Sequence, residues 1–483
     1  RMYLLLKIID GLTILQSAVL TFGFWAVYKL LRPIYNITLH PLAGFPGPVL
    51  AGASYWYEGY FDLILWGRYT GEIARMHEKY GPIVRINPDE LHCSDPHFID
   101  EIFAIGTRKR NKPAHQLSPA TFSGFGTADH NLHKIRRAPL TKFFSKLQIT
   151  KLEPEIHKAV HLLCDKLLRF ADKKEPFDLT SAYGCFTSDV IAEYCFDSIE
   201  PNFRRAIFSV LNATYVLRFI PWLKPLTLTV PYIAKYLSDD VRMLAETLNI
   251  TIPRWIKETK VEMDTGITAA LFGAGTETTS WTLAIITYHL LAQPEILKKL
   301  TEELRSVVDD PKSFPPWSAL EQLPYLNAVM TEGLRLSYGV SARTARIATE
   351  EDLQGTWTPK GSKASITLDY VVHRGMAIGM TSVIMHHDED IFPDSHSFIP
   401  ERWLVKGKQR RDMERLLFVF GKGSRQCLGM NLAYCELYLA LTALIFRVYP
   451  QMQLYETTVE DVTYDHDLLV PVAKGNGVKV IIT

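Results

Sequence analysis

The stretch FGKGSRQCLG, Phe420 to Gly429, constrains this chain more than any other. Glycines at 421 and 423 permit a tight loop, and an apolar helical pattern begins just after Cys427, so one cysteine is delivered to a helix N-terminus. There, unpaired backbone N–H groups and the helix dipole stabilise a thiolate, which lowers the thiol pKa and suits the sulfur as a metal ligand or a nucleophile. A nucleophile wants a histidine base nearby, and the loop holds none. Arg425 instead offers a cation two residues away, fit for an anionic group beside the metal.

The rest of the chain narrows the choice. Six cysteines (Cys93, Cys164, Cys185, Cys195, Cys427, Cys435) stand without a CxxC pair, which argues against a zinc site and a secreted disulfide framework. A length of 483 residues with 47% hydrophobic composition allows a large buried core. The formal net charge of +1 implies no nucleic-acid partner, so an electrostatic partner needs a local patch. Sequons at Asn36, Asn212 and Asn249 are triplets that arise often by chance.

Gly11 to Tyr28 runs 18 residues without a charge, with Trp25 and Tyr28 near one end and Lys29 and Arg32 after it. It is longer than a usual signal-peptide core, and no small-residue cleavage site follows before Leu31. Residues 1–32 therefore read as a membrane anchor. Residues 33–48, with HPLAGFPGP, read as a stiff proline-rich connector to the body that starts at residue 49.

Helical periodicity dominates that body: Ile73 to Lys79, Leu152 to Leu168, Ser188 to Tyr194, Thr268 to Leu291, Glu295 to Val308, Leu323 to Leu336 and Gly429 to Phe446. Strand signals are shorter: PIVRI from Pro82, GMTSVIM from Gly379 and GVKVIIT at the end. The fold class is mainly α with a minor β part.

Two helical patterns carry further signals. EGLR, Glu332 to Arg335, sets a carboxylate and a guanidinium three apart on one face, a pairing that is usually a solvated surface contact. In AGTETT, Ala274 and Thr278 share a face, while Gly275 and the threonine hydroxyl can loosen the backbone ladder and leave a narrow groove. Packing by small residues in a buried helix is the competing reading.

With its loop matching FxxGxRxCxG at Phe420, Gly423, Arg425, Cys427 and Gly429, the chain resembles the cytochrome P450 family. The resemblance implies a cytochrome P450 fold preceded by one transmembrane helix, with a haem-thiolate monooxygenase domain over residues 49–483 and haem b as cofactor. Cys427 would ligate the iron, Phe420 would pack by the sulfur and Arg425 would meet a haem propionate. It also implies that Glu332 and Arg335 join Arg402 of the PERW segment in a structural triad. Ala274 would border the oxygen site, and Glu277 with Thr278 would relay protons. In DHNLHKIRR, Arg137 matches a propionate-binding position and His133 stands where tryptophan is usual; Arg346 is a further propionate partner.

Further expectations follow from the resemblance. Electrons would come from NADPH through an NADPH-cytochrome P450 reductase, docking near Lys406, Lys408, Arg410 and Arg411; the other basic run, Arg108 to Lys112, reads as a solvated face. The substrate would be an apolar small molecule, by likeness to fungal members acting on terpenoids such as trichodiene. Its pocket would draw on Gln116 to Gly126, Leu271 to Ala274, Tyr338 to Ser341 and Leu468 to Val472. The chain would be a single-pass protein of the endoplasmic reticulum with its catalytic domain in the cytosol. Two departures from the family stand out: a short run from Trp255 to Ala274, and extra sequence from Leu353 to Leu368. The alternatives are an O₂-independent haem-thiolate isomerase or dehydratase, and a catalytically impaired membrane-bound haem protein.

Overall fold

The computed structural model describes residues 13–116, 123–172, 174–196, 211–212, 215–220, 222–223, 242, 265–357 and 368–483. Its main helices are α1 (Ile14–Thr38), α2 (Tyr69–Tyr80), α3 (His130–Phe143), α4 (Lys146–Leu168), α5 (Leu179–Phe196), α6 (Thr265–Ala292), α7 (Pro294–Leu304), α8 (Pro324–Ser337), α9 (Lys408–Leu416) and α10 (Met430–Arg447). The strands are β1 (Ile83–Asn87), β2 (Glu90–Cys93), β3 (Arg110–Asn111), β4 (Phe177–Asp178), β5 (Thr344–Ala348), β6 (Leu353–Trp357), β7 (Leu368–Val372), β8 (Ala377–Met380), β9 (Met452–Leu454), β10 (Tyr464–Leu468), β11 (Val470–Ala473) and β12 (Lys479–Ile482). The class is mainly α with a minor β part, as the periodicity predicts.

The N-terminal expectation meets a different boundary. A Thr13–Gln16 capping box starts α1, which then runs through Pro33 to Thr38, so it takes in the first residues of the stretch 33–48 expected to be a connector. The expected span from Gly11 lies partly outside the described residues, and among those described no helix is long and apolar enough to cross a membrane.

The core forms around α6 and α10, which are apolar on nearly every side and must therefore be surrounded. Leu283, Ile285, Ile286 and Leu290 of α6 and Leu437 to Ile445 of α10 are buried against α4, α5, α7 and α8. The α6–α8 crossing is tight at Gly333, where a Cβ would lie 2.2 Å from Ile286 Cγ1.

A five-stranded sheet, in the order β1-β2-β8-β5-β3, covers a second apolar cluster. Arg346 on β5 pairs with Ile378 on β8, and Leu91 on β2 pairs with Ile378 from the other side. The strand expected over GMTSVIM stops at Met380; Ser382–Met385 form a helical turn, with the Ser382 hydroxyl donating to the Val340 carbonyl at 3.0 Å. The extra sequence after Leu353 belongs to an antiparallel hairpin, in which Leu353 faces Val372 and Trp357 faces Leu368. Residues 358–367 of that sequence, and most of the short run before Ala274, lie outside the described residues.

Candidate functional site

The loop before α10 is held by its own backbone. The Cys427 N–H donates to the Phe420 carbonyl at 2.7 Å, and the Phe420 ring packs on Tyr434 with centroids 5.1 Å apart. Gly423 has φ +73° and sits so close to the 103–104 backbone that a Cβ would lie 2.5 Å from the Phe103 carbonyl oxygen. Gly429 is different: its φ of −84° suits any residue, and a Cβ there would meet nothing within 4 Å. The protein leaves open space at that point, next to Cys427. Gly429 is also the N-cap of α10 and brings no side-chain cap, so the first-turn N–H groups remain available.

Cys427 has exposed surface on one side, yet the mass of protein around it is large. Burial pushes its thiol above the ordinary cysteine value, against the Gly429 N–H and the Arg137 guanidinium, which pull it down. The depressed pKa expected from the helix end alone is therefore not met. Burial is the larger effect, and a cation at the sulfur would reverse it.

Beside the loop, cations converge from four stretches of chain. Arg346 is buried on β5; its hydrogen bond goes to the Ala345 carbonyl at 2.8 Å, and it lies over the Phe103 ring. Arg425 directs its fork to the carbonyls of Thr127 (2.6 Å), Ala128 (2.8 Å) and Asp129 (3.3 Å), leaving Nε buried without a partner. The expected propionate partner thus spends most of its donors bracing the segment that leads into α3. His133 and Arg137 come from α3, and Lys112 donates to the Phe125 carbonyl at 2.9 Å.

These groups depress one another. Burial and then Arg425 bring Arg346 down to about 9; burial brings Arg425 down to about 10, with Asp129 opposing. Burial, then Arg425, Arg137 and Lys112, hold His133 down to about 3, so it is neutral at pH 7. Burial, Arg346 and Arg425 push Lys112 well below the ordinary lysine value. Among the described residues no carboxylate forms an ion pair with Arg346, Arg137 or Lys112. A largely buried group of positive donors with few counter-charges among the described residues fits a ligand carrying carboxylates, and the exposed Cys427 beside it, with open space at Gly429, fits a metal held on the same ligand. The residues present fit haem.

The run Arg108 to Lys112 is not the solvated face its composition suggests. Arg108 pairs with Glu101 (2.5 Å) and Glu351 (2.7 Å), Lys109 with Glu350 (2.6 Å), and Arg110 is buried against Glu351 (2.7 Å). Lys112 faces the cation group instead.

On α6 the Thr278 hydroxyl donates to the Ala274 carbonyl at 2.8 Å. The helix continues unbroken through Ala274 to Thr279, so the loosened ladder expected there is absent; the hydroxyl satisfies its donor within the turn. Ala274 is exposed, Thr278 half-buried and Glu277 buried. One turn on, Thr282 donates to Ser337 at 2.9 Å, tying α6 to the end of α8.

The Glu332–Arg335 pair is fully buried rather than solvated. Glu332 accepts from Arg335 Nη2 (2.8 Å) and Nε (2.9 Å), Arg402 Nε (3.0 Å), Trp403 Nε1 (2.8 Å) and the Ile399 N–H (3.0 Å). Arg335 spends its remaining donors on the carbonyls of His386, Ser395 and Ser397. Burial pushes the Glu332 carboxyl upward, but the hydrogen bonds and charge of Arg335, then Arg402, hold it below the usual carboxylate range.

Of the expected pocket segments, residues 117–122 lie outside the described residues, and Tyr338–Ser341 and Leu468–Val472 meet through backbone. The N–H groups of Ser341 (3.1 Å) and Ala342 (3.3 Å) both donate to the Leu469 carbonyl, and the Ala345 N–H donates to Gln116 Oε1 at 3.1 Å. Sequence reasoning missed a buried ionic group beside them. Glu58 accepts from Asn87 (2.9 Å) and pairs with His115 (3.0 Å), Arg218 (2.5 Å) and Arg343. No spacing signals it, because its members lie up to 285 positions apart.

The comparisons with known proteins agree with this geometry. The family model described as cytochrome P450 matches residues 52–266 and 257–469; its two pieces meet in the short run before Ala274. The chain is 40% identical to cytochrome P450 monooxygenase ppzE of Metarhizium majus over 468 residues, covering 85% of this chain and 96% of the relative. It is 35% identical to cytochrome P450 monooxygenase TRI4 of Fusarium sporotrichioides over 494 residues (93% and 91%), and 35% identical to conidiogenone synthase PchP450 of Penicillium rubens over 508 residues (96% and 98%). A family match over most of the length and relatives aligned nearly end to end, with cationic side chains gathered beside Cys427, make one conclusion: the chain belongs to the cytochrome P450 family and is a monooxygenase similar to those of fungal secondary metabolism.

Proposed function

We propose that this monooxygenase inserts one atom of O₂ into an apolar small molecule, a terpenoid or another fungal secondary metabolite, with electrons from NADPH delivered by a reductase. When bound, haem supplies the activation of O₂ and the transfer of its oxygen. The observation that carries the reading is a group of cations, of which Arg346, Arg137 and Lys112 have no ion-paired carboxylate among the described residues, beside an exposed cysteine.

The chain's own residues take these roles. Cys427 presents its sulfur as the iron ligand, with the Gly429 N–H directed to it. Arg346, Arg137, Lys112 and Arg425 Nε bind the propionates, and His133, neutral at pH 7, donates a hydrogen bond rather than a charge. Thr278 holds a proton at Oγ1, donated at rest to the Ala274 carbonyl; its lone pairs still accept, so a proton arriving from the side of Glu277 would free that one to pass on. Glu332, Arg335 and Arg402 keep the loop-bearing region rigid.

A surface groove of about 590 Å³ opens beside Phe420 and Gln426, lined in part by Lys422, by Lys146 paired with Glu321 and by Arg410 paired with Glu414. With exposed Lys406, Lys408 and Arg411 nearby in the chain, it supports a reductase docking here. The anchor reading places the protein in the endoplasmic reticulum membrane with the catalytic domain in the cytosol.

The test is the reduced, CO-treated protein, expected to give the red-shifted Soret band of thiolate-ligated iron, and Cys427→Ala, expected to lose it. Retention of the band in that variant would overturn the role of Cys427.

A further inference from the structure

Just after the Cys427 loop, α10 carries two tyrosines on one face. Tyr434 and Tyr438 are four residues apart, with ring centroids separated by 6.2 Å and planes inclined at 29°. Tyr434 also packs on Phe420 at 5.1 Å, and the Phe420 carbonyl accepts from the Cys427 N–H at 2.7 Å. A run of neighbouring rings therefore leads away from the cysteine loop. It reaches the groove beside Phe420, which both tyrosines line.

The two phenols can give up protons as well as electrons. Burial and then Glu414 push the Tyr434 hydroxyl up to about 12, while burial, then Tyr434 and Glu321, raise that of Tyr438, so both hold their protons at pH 7. A phenol loses an electron readily only when its proton has somewhere to go. Asn327 donates to the Tyr438 oxygen at 3.0 Å, which leaves the Tyr438 proton free to be donated elsewhere. Glu321 and Glu414 line the same groove as carboxylate acceptors.

The other rings of the groove are poorer electron donors. Phe420 has no readily removed electron and acts as a spacer between the loop and Tyr434. Trp317 lines the groove as well, but Lys146 lies over its ring at 4.9 Å, and a cation there opposes the loss of an electron. The oxidisable pair is therefore Tyr434 followed by Tyr438.

We propose that Tyr434 and Tyr438 drain oxidising equivalents from the haem centre into the groove when no substrate takes them up. The proposal rests on haem bound at Cys427. In each event Tyr434 passes one electron to the oxidised centre and its proton to the groove. Tyr438 then returns one electron to Tyr434, which regains a proton from the groove, while the Tyr438 proton leaves to the groove. A small thiol or enediol reductant entering the groove restores one electron and one proton to Tyr438. In balance, one electron moves from the reductant to the haem centre, one proton moves from the reductant to solvent, and the cysteine sulfur is spared oxidation.

The test uses the full haem-bound chain without substrate, given hydrogen peroxide and rapidly frozen for electron paramagnetic resonance, with the CO spectrum read on every sample beforehand. The parent is expected to give a radical signal that narrows when its tyrosines are ring-deuterated, that decays faster with ascorbate, and that leaves a nitroso spin trap on residue 434 or 438 in peptide mass spectra. The double variant Tyr434→Phe, Tyr438→Phe is expected to lose the signal and to bleach its haem several-fold faster. Tyr434→Trp, which restores an oxidisable ring, is expected to bleach more slowly than Tyr434→Phe. Trap adducts confined to other residues, or equal bleaching in the parent and the double variant while the CO band is sound, would overturn the drain and leave the haem site standing. Tyr434→Phe and Tyr434→Trp bleaching equally, and both faster than the parent, would reduce Tyr434 to packing and overturn the drain as well. A parent chain without the CO band would overturn the haem site and the drain together.

Discussion

In the proposed haem site, Arg346 is a residue unfavourable in the bare protein and favourable in the loaded one. Buried, without a carboxylate partner among the described residues and beside Arg425, it is a cation whose charge is disfavoured, down to a pKa of about 9. Arg346→Met should therefore stabilise the haem-free protein, by about 1–3 kcal/mol, and weaken haem retention in the same variant. Denaturant unfolding of the haem-free forms and haem transfer to an acceptor protein read the two effects separately; destabilisation in both would show that Arg346 is simply a packing residue. Thr278 offers the reverse case, a residue content within its own turn because its hydroxyl already reaches Ala274. Thr278→Ala should keep the CO spectrum yet lower product formed per NADPH consumed, by a factor of about 10² or more, as peroxide rises. Equal coupling in parent and variant would leave Thr278 as helix packing. Spacing and resemblance single out Cys427, Arg137, His133 and Arg346, which the structure brings together, but the direction of Arg425's fork is not legible in the sequence. Its partners are main-chain carbonyls, and every residue type presents one.

Among the elements, α8 and the segment around Arg402 depend on one carboxylate. Glu332 serves two arginines, an indole and a backbone N–H while fully buried, so Glu332→Gln should destabilise the fold by about 3–5 kcal/mol. Its carboxyl is held below the reference value of 4.5, so the unfolded chain binds the proton more readily. Its contribution is complete above about pH 4.5 and is lost as pH falls through the lower folded-state pKa. Unfolding free energies measured between pH 6 and 3 should fall with acid in the parent and fall less in Glu332→Gln; parallel slopes would remove the group from the acid limb. Sequence spacing finds this pair but not its burial, since the same i, i+3 pattern serves solvated helices equally well. The same limit applies to WYEGYFDLI, residues 56–64, where Trp56, Tyr60 and Ile64 are exposed while Glu58 and Asp62 are buried. The two alternating faces are visible in the string, and the ordinary expectation that apolar residues point inward assigns them the wrong way round. Only Arg218 and Arg343, brought in from distant sequence, decide it.

At the scale of the whole molecule, the fold class was legible because helical periodicity is long and repeated, whereas the assembly of distant segments was not. The group draws Lys112, Arg137 with the neutral His133, Arg346 and Arg425 from four separate stretches, and in the haem-free protein Lys112, Arg346 and Arg425 repel one another. A ligand that brings carboxylates to this point converts mutual repulsion into a crosslink between the five-stranded sheet, α3 and the loop before α10. Haem at a thousandfold excess over its dissociation constant should raise stability by about 4 kcal/mol by mass action. In Arg346→Met the gap between loaded and haem-free forms should narrow from both sides, the haem-free form melting higher and the loaded form lower than in the parent. The measurement is thermal unfolding of all four samples at one protein concentration and one free haem concentration. An unchanged gap would mean that the repulsion is relieved by solvent rather than by ligand carboxylates, and the role of Arg346 as a haem partner would fall with it.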